Sequence, residues 1–166
     1  MPNRIAQICS SAFLAFALVT SAASPGIAQS PIPAASAAGV IATKSSYDVA
    51  ETVTRLKQDI AAKGIVFFQE IDQAALAAKA GVTLMPSTLL IFGNPPLGTQ
   101  FITATPQAGL DWPVRMLVYR DAAGQVWVAY SDFQWIAKRH GITNRDAQFA
   151  MASQVAASIA ASVAPR

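Results

Sequence analysis

Apolar side chains at Val49, Val53, Leu56 and Ile60 fall at i, i+4, i+7 and i+11, so one face of this stretch predicts an amphipathic helix. Asp48 stands where an N-cap belongs, with Glu51 three residues on, and Gly64 supplies the stop. Glu51 and Arg55 form a favourable i,i+4 pair, and Lys63 complements the C-terminal end of the helix dipole. Val40 to Thr43 precedes this helix as a first strand. Ile65 to Ile71 follows it, aromatic and β-branched between Gly64 and Asp72, and predicts a second strand. Asp72 then caps a short alanine-rich helix to Ala80, ended by Gly81. Ser87 to Phe92 is apolar on both alternating faces after Thr88, which predicts a strand covered on both sides near the middle of a sheet.

Asn94 followed by Pro95 predicts an N-cap and first position of a short helical turn reaching about Thr103, and the stretch from Ala104 to Trp112 reads as a loop. The clearest long-range signal is a hairpin, Val114 to Arg120 and Gln125 to Ser131 around Asp121-Ala122-Ala123-Gly124. In its second strand Val126, Val128 and Tyr130 face one way, and Trp127 and Ala129 the other. Asp132 caps a helix from Phe133 to His140 closed by Gly141. Thr143 and Asp146 suggest a capping-box start for a long alanine-rich helix to about Val163, with Met151, Val155, Ile159 and Val163 on one stripe. That helix could pack on its own sheet or on a second subunit. The expected fold is α+β: a small sheet of four to five strands, including a C-terminal hairpin, packed against helices.

The amino end follows another pattern. Arg4 is the only charged side chain before Lys44, and it precedes an apolar stretch from Ile5 to about Val19. Small residues and Pro25 come next. This is the layout of a secretory signal peptide, with small-x-small cleavage sites after Ala23 and Ala28, the second favoured. The apolar run is shorter than the ~20 residues of a bilayer span, so no stable membrane span is expected after cleavage. The expected division is a signal peptide over 1–28, a flexible leader over 29–39, an α+β domain over 40–142 and the C-terminal helix over 143–166. The destination is the periplasm or the exterior.

Composition changes this picture in three ways. Hydrophobic residues make up 53% of the 166, but 34 are alanine, so the total does not signal a membrane protein. Cys9, the only cysteine, lies inside the expected signal, leaving the mature chain without disulfides, thiolate ligands or a cysteine nucleophile. From Lys44 onward 11 basic and 9 acidic residues are interspersed, with no basic stripe of the kind nucleic-acid binding requires.

Four segments, in order, carry a resemblance to a known family: Leu89-Leu90-Ile91-Phe92-Gly93-Asn94-Pro95 with Gly98-Thr99; Gly109-Leu110-Asp111 with Pro113; Asp121 to Gly124 leading into Val126-Trp127-Val128-Ala129-Tyr130; and Ala137-Lys138-Arg139-His140-Gly141-Ile142. Over roughly Val40 to Ile142 the chain resembles the bacterial domain of unknown function 302. The resemblance implies a compact α+β domain, a homodimer and no settled activity. It also implies a histidine after the aspartate that opens the second helix, where this chain has Gln73.

Chemistry is thinly signposted. His140 is the only histidine, which excludes multi-imidazole metal sites, and there is no GxSxG elbow or CxxCH haem attachment. His140 falls on the apolar face of its helix, four residues after Ile136 and seven after Phe133. It reads as a core-packed residue bonded to a nearby carbonyl or, alternatively, as a single ligand to a metal or non-covalent haem. In the haem reading Lys138 or Arg139 reaches the propionates, and Phe133, Trp135 or Trp112 lines the plane. Asn94 to Thr99 resembles an anion-cradling turn, but Pro95 and Pro96 remove N–H donors and favour a structural turn. Asp111, Asp121 and Asp132 read as loop, turn and cap. The expectation is an exported, non-enzymatic domain without a cofactor, binding a small apolar or anionic ligand or a partner chain, with His140, Arg139, Lys138, Trp112, Asn94 and Thr99 as candidate ligand residues.

Overall fold

The computed structural model describes residues 36–165. The expected signal peptide, and the leader up to residue 35, lie outside the described residues. Five strands, β1 (Val40–Lys44), β2 (Val66–Asp72), β3 (Ser87–Gly93), β4 (Val114–Arg120) and β5 (Val126–Ser131), form one antiparallel sheet in the order β1-β5-β4-β3-β2. The helices are α1 (Val49–Ala62), α2 (Gln73–Lys79), α3 (Pro95–Ala104), α4 (Phe133–Arg139) and α5 (Asp146–Ala161). The α+β expectation holds, at the upper end of the expected strand number.

Local chemistry accounts for most of the boundaries. Asp48 caps α1 by accepting the Glu51 N–H at 2.8 Å, and Asp72 does the same for α2 with Ala75 N–H. Leu56 and Ile60 on the inner face of α1 are fully buried, each contributing about 1.5–3 kcal/mol of apolar burial. Gly124, at φ +83°, turns the β4–β5 hairpin. The Asp121 carboxylate closes the turn by accepting the N–H groups of Ala123 and Gln125 and the Trp127 indole N–H.

Alternation along the strands sends Leu90, Phe92, Met116, Val118, Val126, Val128 and Tyr130 to one face, where they are buried beneath the helices. α1 lies over β2, β3 and β4, and α5 packs against β5, α1, α3 and α4. Phe149 of α5 stacks on Phe101 of α3 with ring centroids 4.2 Å apart. The other sheet face carries Ile71, Leu89, Leu117, Ala129 and Ala42 in one cross-strand row.

Four expectations change. β3 is covered on one face only, Leu90 and Phe92 being buried while Leu89 and Ile91 are half-exposed. The stretch from Ala104 to Trp112 is not all loop: α3 reaches Ala104, and a 3-10 turn spans Pro106–Leu110, started by Pro106. Arg145, not Thr143, is the N-cap of α5, and it makes no side-chain cap bond. Met151 does not face inward and is 55% exposed. The buried stripe of α5 runs through Phe149, Ala152, Ala156, Ile159 and Ala160, because alanine lets neighbouring helices approach closely.

Candidate functional site

The six expected ligand residues separate into two places. Arg139 and His140, at the end of α4, converge on Asp111, which follows the 3-10 turn. His140 Nε2 meets Asp111 Oδ2 at 2.7 Å, Arg139 Nη1 reaches both carboxylate oxygens at 3.2 Å, and Arg115 Nη2 donates to Asp111 Oδ1 at 3.3 Å. The partner of His140 is therefore a carboxylate rather than the expected carbonyl, and Asp111 is a junction rather than an ordinary loop residue. When Nε2–H donates to the Asp111 carboxylate, the neutral ring keeps its lone pair on Nδ1. Lys138 is exposed beside this cluster and bonds none of it.

Trp112 and Asn94 lie elsewhere. The Trp112 indole sits against Gly93 and Gly98, where a Cβ at Gly98 would overlap the ring, and Phe68, at a bulge in β2, meets it edge-on at 6.2 Å. Asn94 Oδ1 accepts the Leu97 N–H at 3.2 Å, capping α3, and Thr99 Oγ1 donates to the Pro95 carbonyl at 2.8 Å. The space that Asn94 and Trp112 line together is about 30 Å³, and Asn94 also lines a separate cleft of about 400 Å³ with Lys63, Leu97 and Met151. These residues build the α3 junction and do not meet His140.

A larger space opens where α1 diverges from the sheet. This groove, of about 980 Å³, runs between α1 on one side and β2 with residues 84–86 on the other. At one end Lys57 Nζ meets Glu70 Oε2 at 2.8 Å, joining α1 to β2. Asp72, Thr88 and Arg120 line the groove, with Val49, Val53, Leu84 and Val126 as its apolar surface. Thr88 is 8% exposed, and its hydroxyl has no hydrogen-bond partner among the described residues. The Arg120 guanidinium likewise meets no carboxylate among them. Gln73, standing where the resemblance implies histidine, accepts a 2.7 Å hydrogen bond from Ser87 Oγ.

None of these groove residues was a candidate in the sequence, although a signal existed. Thr88 and Arg120 each occupy an inward position of an otherwise apolar alternation, Thr88-Leu90-Phe92 and Met116-Val118-Arg120. Among the described residues there is no group of three His, Asp or Glu side chains placed to hold a metal ion. Two groups outside the groove lining, Asp121 at its edge and Tyr130 in the core, titrate unusually. The Trp127 indole N–H holds the Asp121 carboxyl below its ordinary value, helped by backbone donors, and burial pushes the Tyr130 phenol up to about 12.

The open-faced, five-stranded antiparallel sheet with helices on one side defines a two-layer α+β domain. The chain belongs to the family described as domain of unknown function DUF302, whose model matches residues 41–164. Its fold is similar to the crystal structure of an uncharacterized conserved DUF302 protein from Bacillus stearothermophilus, with a TM-score of 0.69 at 14% identity, covering 75% of this chain and 98% of that one. In sequence it is 38% identical over 104 residues to a protein named fluoride-specific ion channel FluC 1 from Brucella suis, covering 63% of this chain and 41% of that one. FluC 1 of Brucella abortus is likewise 38% identical, with 38% of its length covered. The chain thus spans about two fifths of the length of these relatives. No helix among the described residues is long and apolar enough to cross a membrane.

Proposed function

We propose that the chain is an exported, non-enzymatic domain that binds a small ligand in the groove between α1 and the β2–β3 end of the sheet. The observation that carries this reading is the groove of about 980 Å³ itself, onto which the Thr88 hydroxyl and the Arg120 guanidinium open without a side-chain partner among the described residues. Clefts of ~300–1,000 Å³ with a few convergent polar groups on an apolar lining are the usual form of small-ligand sites. Export is supported by Arg4, the apolar run after it and the small-x-small sites at Ala23 and Ala28. The fluoride channels' name describes proteins more than twice as long as the shared stretch, and conduction is no part of this proposal.

Cell fractionation followed by native mass spectrometry of the exported protein tests both halves. The expected result is a processed chain in the periplasm or medium carrying a small bound mass that is lost in Thr88→Phe. A cytoplasmic, unprocessed chain would contradict export. A bound mass unaffected by Thr88→Phe would contradict the groove.

A further inference from the structure

We infer that the groove takes a zwitterionic ligand of the α-amino-acid type, its carboxylate on Arg120 and its ammonium on Asp72; this rests on the groove being a binding site. Strand register supplies the arrangement. Asp72 of β2 pairs with Thr88 of β3, and Thr88 pairs with Val118 of β4, two residues before Arg120. Direct cross-strand neighbours stand ~5 Å apart and diagonal ones ~7 Å, so carboxylate, hydroxyl and guanidinium follow one another along the helix-facing side of the sheet. All three line the same groove.

Charge decides between ligand classes. The groove is lined by three carboxylates, Asp48, Glu70 and Asp72, and two cations, Lys57 and Arg120. Lys57 and Glu70 neutralise each other at 2.8 Å. What remains is one guanidinium beside two carboxylates, each of which gives one oxygen to a helix cap. Asp72 and Arg120 are both exposed at the mouth of the groove; a polyanion would be repelled by that remainder, and a simple amine would engage a carboxylate and leave Arg120 to solvent. A ligand bearing one carboxylate and one ammonium satisfies both. Arginine is suited to the carboxylate because its planar fork can hold both oxygens. The Thr88 hydroxyl donates to the same carboxylate, and Val49, Val53 and Leu84 receive an aliphatic side chain.

The test is titration of the ¹⁵N-labelled full chain with L-leucine, L-leucyl-L-leucine, 4-methylpentanoate, which lacks the amine, 3-methylbutylamine, which lacks the carboxylate, and inorganic phosphate. L-leucine or the dipeptide should move the Thr88 and Arg120 amide resonances saturably, whichever is tighter distinguishing a free amino acid from a peptide source. Each single-charge probe should bind at least about tenfold more weakly, the loss expected for one charge-assisted hydrogen bond. Arg120→Gln and Asp72→Asn should each weaken leucine or dipeptide binding by a similar factor at an unchanged melting temperature, asparagine keeping the α2 cap. Methylpentanoate, the amine or phosphate binding as tightly as the zwitterions, or both variants binding normally, would overturn this ligand class and leave the groove as a binding site. Groove resonances unmoved by every probe would overturn the class as well, and an empty groove in native mass spectrometry would then remove the reading beneath it.

Discussion

His140 Nε2 and Asp111 Oδ2 are 2.7 Å apart although 29 residues separate them in the chain, and their side chains are only 7% and 5% exposed. This pair fastens the end of α4 to the segment entering β4, and Arg139 and Arg115 share the same carboxylate. Removing the shared acceptor leaves a nearly buried imidazole and two guanidinium groups without it. Asp111→Ala should cost about 2–3 kcal/mol, as leaving a nearly buried ring N–H unsatisfied and two half-exposed guanidinium groups unpaired does, and His140→Ala less, about 1–2 kcal/mol, because the arginines still hold Asp111. Urea unfolding measures both, and equal losses would contradict a carboxylate-centred junction. The absorption spectrum of the purified protein should show no Soret band that depends on His140.

Gly98 is fixed by the indole lying on it. Gly98→Ala should destabilise the chain by about 1–3 kcal/mol through overpacking against Trp112, and the loss should shrink when Trp112 is alanine. A thermal double-mutant cycle reads the coupling, and an unchanged loss in the Trp112→Ala background would place the strain elsewhere.

Tyr130 is 3% exposed, and its hydroxyl makes no hydrogen bond among the described residues. Deleting an unpartnered buried oxygen removes a desolvation penalty without removing a bond. Tyr130→Phe should therefore leave stability unchanged or raise it, by up to about 1 kcal/mol. A loss of more than that in urea unfolding would show that the hydroxyl has a partner.

The Asp121–Trp127 contact makes the hairpin acid-sensitive. The folded carboxyl titrates below its ordinary 3.8 chiefly because the Trp127 N–H binds its ionised form, with backbone donors and Lys44 assisting against the desolvation that opposes it. The stabilisation is thus fully present above the unfolded value and is lost as pH falls through the folded one. The Trp127 indole N–H resonance should shift with a midpoint below 3.8 and should not titrate in Asp121→Asn. A midpoint at or above the ordinary carboxylate value would contradict the contact.

What could be read from the sequence was what neighbouring residues decide. The cap and stripe of α1, the caps of α2 and α4, and the four-residue hairpin are all set within a few positions, and each stands where expected. The stripe expected along α5 stands at Ile159 and Val163, both fully buried, but not at Met151, because Phe149 and alanines carry the inward face of the first turns. Both site assemblies depend on distant pairings that a single sequence does not display. Asp111 meets His140 through the return of α4 to the 3-10 turn, and Asp72, Thr88 and Arg120 meet through the register of three strands. Thr88 and Arg120 at inward positions were the visible trace of the groove, and strand patterning alone gave no reason to connect them.

The central claim, that the groove under α1 is where this domain meets its ligand, is tested most directly by an amide chemical-shift map of the ¹⁵N-labelled chain against a library of small metabolites that includes amino acids, carboxylates, amines and phosphates. The account predicts saturable shifts concentrated at Thr54, Thr88, Arg120 and Gln125, abolished by Thr88→Phe. Shifts concentrated instead on the open sheet face around Leu89 and Leu117, or around Asp111 and His140, would contradict it.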